Sequence, residues 1–175
     1  MTGIKPSRNR RPLGARAQAI VEFAIALPLL LAMLIGIIEF GRMMIYYAAV
    51  TNASREAVRF GSAIGYADNT YYLKYQYCSG IRAAAKRVGF FLGLQNSDIR
   101  IYYDQGPSTT ATEKCTASSY SVANDPTVVV SMGKSRVKVT VTAHYSPIVN
   151  FLPISSRNFV STSARTIAGN VQVYP

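Results

Sequence analysis

The chain has 175 residues and a formal net charge of +11, with 49% hydrophobic and 15% charged residues. Ordinary soluble domains carry roughly 25% charged residues, and the apolar content excludes a disordered polyelectrolyte. Two cysteines and one histidine exclude a metal centre built from several Cys and His ligands and any mechanism that needs two histidines. No metal or cofactor is implied.

Residues 1–17 contain Lys5, Arg8, Arg10, Arg11 and Arg16 and no acid. Gly3, Pro6, Pro12 and Gly14 oppose regular structure there. Residues 23–38 then carry no charge at all, and across 19–40 only Glu22 and Glu39 interrupt the apolar run. As a helix, 19–40 would span about 33 Å, enough to cross a bilayer core. A basic flank before the apolar run predicts a cytoplasmic N-terminus, with everything beyond residue 40 outside. A cleaved secretory signal would need a small-residue cleavage site after the run, whereas Glu39-Phe40-Gly41-Arg42 follows.

The helical pattern continues past the apolar run. Met43, Tyr46, Val50, Ala53, Ala57, Phe60 and Ile64 recur in steps of three and four, an apolar seam on one face. Asn52, Arg55, Glu56 and Arg59 fall opposite. One helix over 18–64, about 70 Å long, is predicted, kinked at Pro28 and ended by Gly61 or Gly65. Its first half suits lipid and its second half a folded domain. Ala32 and Gly36 form a small-xxx-small pair that permits close helix packing. Glu39 and Arg42 are three apart and can pair at the outer membrane boundary.

The remainder reads as a small α+β domain. Residues 66–77 are tyrosine-rich and read as a loop capping the core, a sticky aromatic surface being the other reading. Ile81, Ala84, Ala85, Val88, Phe91 and Leu92 predict a helix over 79–92, with Arg82 and Lys86 opposite and Gly93 past its end. Ile99, Ile101 and Tyr103 alternate with polar neighbours as a strand does. Residues 105–126 read as a long loop. Alternation over 136–145 gives the clearest strand, with 128–131 as a candidate hairpin partner. Pro147 and Pro153 bracket a loop, and 159–168 reads as a last strand. The expected architecture is a long N-terminal helix packed with a shorter helix on a small antiparallel sheet.

Cys78 and Cys115 both fall on the outer side, where paired thiols usually oxidise. A disulfide between them is expected, two unpaired thiols being the alternative. Their spacing excludes a CxxC redox motif.

Three blocks carry a family resemblance: Gln18-Ala19-Ile20-Val21-Glu22-Phe23, Ile38-Glu39-Phe40-Gly41-Arg42, and Asn52-Ala53-Ser54-Arg55-Glu56-Ala57-Val58-Arg59-Phe60. In this order they resemble the TadE-like family, pilin-like minor subunits of Tad/Flp pilus machines. The resemblance implies a bacterial inner-membrane protein with three parts: a basic leader at 1–17, a transmembrane half at 18–40 and an extracytoplasmic domain at 41–175. It further implies partnership with the machine's other pilins and pseudopilins, with membrane lipid, and with a prepilin peptidase. Such substrates place glutamate fifth in the mature chain. Counting back from Glu22 makes Gln18 the first mature residue and puts Ala17 before the cut, where glycine is usual. A cut after Gly14 and an uncut chain are the alternatives. The resemblance assigns Glu22 and Phe23 to assembly. A carboxylate at the hydrocarbon edge is costly unless paired, and a neighbouring subunit's new amino terminus is the expected partner. A hydrated position at the headgroup boundary is the alternative.

No G-x-S-x-G, P-loop or H-E-x-x-H pattern occurs. No carboxylate pair stands out among Asp68, Asp98, Asp104, Glu113 and Asp125, and the lone His144 alternates onto the wet face of its strand. No catalytic residue is expected. The outer part has 14 basic and 6 acidic residues, which can attract nucleic acid or acidic polysaccharide. The alternative function is therefore a membrane-anchored adhesin, or a module that captures such polymers, that never enters a filament.

Overall fold

The computed structural model describes residues 13–67, 70–123, 125, 131, 133–149 and 154–168. The chain forms two compact units, Met1–Gly41 and Arg42–Pro175. Helix α1 (Leu13–Ser62) supplies the described part of the first and opens the second.

In the first unit α1 begins at Leu13, five residues before the predicted start. Ala15, Arg16 and Ala17 are strong helix formers, and together they outweigh Gly14. The helix continues through Pro28. Its large apolar side chains stand open all round: Ile20, Phe23, Ile25, Leu29 and Leu30 are each at least 60% exposed. A helix that is apolar on every side is not solvated by water and suits lipid. Among the described residues it is the one helix long and apolar enough to cross a bilayer, compatible with a single-pass membrane anchor.

In the second unit α1 buries Val50, Ala53 and Ala57 of the predicted seam, and also Ala49, Ser54 and Val58. Two expectations fail at its end. Ile64 lies beyond the helix and is exposed. Gly61 lies inside the helix and is buried. A Cβ on Gly61 would sit 3.1 Å from Ile81 Cδ1, so its role is close approach of α2 to α1. Gly65, at φ +99°, falls in the turn that follows.

Helix α2 (Cys78–Val88) is shorter than predicted because Gly89 interrupts it, and Phe90–Leu92 form a separate 3-10 turn. Gly93 ends that turn in the left-handed conformation. Ile81, Ala84 and Ala85 face the core as expected. Arg82 does not face water: it is 3% exposed. Its guanidinium finds backbone carbonyls instead, donating to Ser119 O at 2.8 Å and to the carbonyls of Cys115 and Thr116.

The sheet has order β2-β1-β3-β4 and is antiparallel throughout. Its strands are β1 (Ile99–Asp104), β2 (Thr112–Lys114), β3 (Arg136–Tyr145) and β4 (Arg157–Thr166). On β3, Val137, Val139, Val141, Ala143 and Tyr145 point inward, the predicted alternation. Strand β4 starts and ends two residues earlier than predicted. Strand β2 lies inside the predicted long loop: it has no apolar alternation, and its backbone pairing to β1 defines it. The suggested hairpin partner at 128–131 falls largely outside the described residues, as do Pro153 and Asp68. The core joins α1, α2 and the inner face of the sheet. The result is an α+β fold.

Candidate functional site: the long helix and its docking face

Ala17, Gln18, Glu22 and Phe23 all lie on α1 and are exposed. Because α1 starts upstream, the bond between Ala17 and Gln18 is helical. Gln18 Nε2 donates to Glu22 Oε1 at 3.1 Å, an i,i+4 contact one turn apart. The carboxylate thus already has one polar partner within its own chain. Ala32 and Gly36 are half-buried, and a Cβ on Gly36 would meet nothing within 4 Å.

Glu39 is 1% exposed. Arg42 places its guanidinium carbon 5.3 Å from the ring centre of Tyr145, within cation–π range. Tyr46, one turn on, meets the edges of Tyr145 at 5.3 Å and Phe91 at 6.3 Å.

Further along α1, Ser54 turns a hydroxyl into the core. It bonds Thr51 O at 2.9 Å, Ser161 Oγ at 3.0 Å and Ser163 Oγ at 2.9 Å. Buried hydroxyls are costly unless paired, so the three serines fix the register of α1 against β4. Sequence patterning does not reveal this contact, because serine reads as polar and lies outside an apolar seam. The exposed side of the same turn carries Glu56, which accepts from Arg59 Nε and NH2 at 2.7 Å each and lies 3.5 Å from Arg87. The hydrogen bond from Arg59 holds the Glu56 carboxyl below its usual range and raises the Arg59 guanidinium.

Cys78 and Cys115 are joined, with Cα atoms 5.6 Å apart. The bond ties the first residue of α2 to the residue after β2. Arg82 grips the carbonyls around Cys115, and the buried Tyr103 hydroxyl donates to Tyr75 O. Burial pushes the Tyr103 phenol well above its ordinary range. His144 is exposed, with Nδ1 2.8 Å from Asn158 Oδ1.

Residues 17–59 match the family model for TadE-like protein. This TadE-like segment covers the apolar helix, Glu22, Glu39 and the docking turn around Ser54, and it ends before the sheet begins. The match covers 43 of the 175 residues, all of them within α1. No curated protein and no solved structure matches the chain.

Proposed function

We propose that this chain is a minor pilin, or pseudopilin, of a Tad/Flp-type pilus or secretion machine, acting in filament initiation or assembly. One observation carries the reading: the TadE-like match runs unbroken from an exposed apolar helix into the turn that docks that helix on a folded domain. In this reading the helix sits in the bacterial inner membrane with residues 1–17 inside and the domain from residue 41 outside. The five basic residues of the leader support that orientation. A prepilin peptidase removes residues 1–17. The new amino terminus of Gln18 then serves as the charge partner of Glu22 on a neighbouring subunit and sets axial register.

Intact mass and N-terminal sequencing of membrane-extracted protein test the processing step, with a chain beginning at Gln18 as the expected result. Glu22→Gln keeps size and polarity but loses the charge. It should leave insertion intact and impair piliation as strongly as Glu22→Ala. Normal piliation in both variants would overturn the register mechanism. A mature chain that retains residues 1–17 and is absent from sheared filaments would instead favour the anchored adhesin or polymer-capturing module.

A further inference from the structure

The outer domain has a groove that the pilin reading leaves unused. It has a volume of about 780 Å³ and runs between the exposed flank of α1, the end of α2 and β4. Arg55 and Arg59 line it from the helix, and Ser163, Ala164 and Arg165 from the strand. Successive residues on a strand face opposite sides of the sheet. Ser163 faces α1, so Ala164 faces away, and a groove that touches both reaches the open edge of β4. That edge is unpaired among the described residues, because β4 ends the sheet order. Along an antiparallel strand every second residue turns its N–H and C=O outward. An exposed edge ten residues long is a template for another extended chain.

The charge of the groove selects what that chain carries. Its one lining acid, Glu56, is already held by Arg59 and Arg87. Arg55 and Arg165 make no hydrogen bond or ion pair among the described residues. A second copy of this protein is a poor occupant. Beyond residue 40 each copy carries 14 basic and 6 acidic residues, and the acids among the described residues there are engaged: Glu56 with Arg59, Asp104 with Arg136, Glu113 with Arg100, Asp125 with Lys114, and Asp98 with the Gln95 N–H. A polysaccharide could meet the arginines but has no ladder of N–H and C=O groups for the strand edge.

We infer that this groove takes an extended acidic segment of a different protein chain, paired through its backbone to β4 with its carboxylates against Arg55 and Arg165. That the chain is another subunit of the same machine rests on the function proposed above; the docking chemistry does not.

The test uses the full chain in detergent micelles at low salt, read by fluorescence anisotropy. The probe is a labelled ten-residue peptide that alternates glutamate with threonine. It should bind. Three changes should each weaken binding at least tenfold: glutamine in place of glutamate, methylation of every peptide amide nitrogen, and the Arg55→Gln/Arg165→Gln double variant of the protein. Both arginines are exposed, so the double variant should keep its unfolding midpoint. Failure of the acidic peptide to bind would overturn the inference. So would binding that survives methylation or the double substitution, or equal binding of a polyuronate oligosaccharide of the same charge. None of these outcomes depends on piliation, so loss of this inference and loss of the pilin reading are separately visible.

Discussion

Gly80 shows how a single hydrogen atom is placed by its neighbours. It lies in α2, where alanine would ordinarily be favoured over glycine by about 1 kcal/mol. Here a Cβ would come 2.2 Å from Tyr77 Cδ1 and 2.8 Å from Phe60 Cε1. The ring of Tyr77 is itself held by the Tyr120 hydroxyl at 2.9 Å, so it cannot give way without losing that contact. Sterics therefore win over propensity. Gly80→Ala is expected to destabilise the α+β unit by about 1–3 kcal/mol, read as a lower unfolding midpoint in micelles; a rise would show that the rings yield freely. Arg82 marks the limit of local reading at this scale. Helical periodicity placed it on the wet face because it is charged. Its carbonyl partners lie 33 to 37 residues further along the chain, and nothing in the α2 pattern encodes a loop returning from that distance.

Among the elements, legibility followed the strength of the periodic signal. Strand β3 alternates over ten residues and was readable to its ends. Strand β2 has three residues whose side chains are exposed or half-buried, so only its backbone pairing makes it a strand. The docking of α1 on β4 was half readable: the alanines announced a packing face, but the Ser54–Ser161–Ser163 cluster did not. Ser54→Ala removes the shared partner of both strand serines and should cost about 1–2 kcal/mol, again as a lower unfolding midpoint; an unchanged midpoint would mean that water replaces the hydroxyl. Strands β1 and β3 are linked by Asp104 and Arg136, with Nε–Oδ1 2.6 Å and NH2–Oδ2 2.8 Å. The Arg136 hydrogen bonds, helped by the Gly106 N–H, hold the Asp104 carboxyl below its usual range. A depressed carboxyl stabilises the fold above its unfolded pKa, near 3.9, and that contribution is lost as pH falls through the lower folded value. Below about pH 4 the wild type should therefore lose stability more steeply than Asp104→Asn in acid titrations of the unfolding midpoint. Parallel curves would remove Asp104 from the acid response.

For the whole molecule, composition changes sharply near residue 40, and the two compact units divide at residue 41. The sequence did not reveal the groove beside β4, since Arg55 and Arg165 are 110 positions apart and meet only through the fold. The unit Arg42–Pro175 is small, and the bond between Cys78 and Cys115 closes a loop with a sequence separation of 37. On chain-entropy grounds such a closure is worth about 4 kcal/mol. Full reduction should lower the unfolding midpoint by on the order of 10 °C, whereas a shift of a degree or less would mean that the reduced chain is already constrained by Arg82 and its carbonyls.

The same bond has a topological consequence. It encloses α2, β1 and β2, and the turn at 105–110 between the last two is largely exposed. A protease that cuts once in that turn severs the polypeptide without freeing either fragment. The nicked protein would run as one band on a non-reducing gel and as two after reduction. A chain tied in this way can be clipped between β1 and β2 and still hold α1 and the sheet in one covalent molecule.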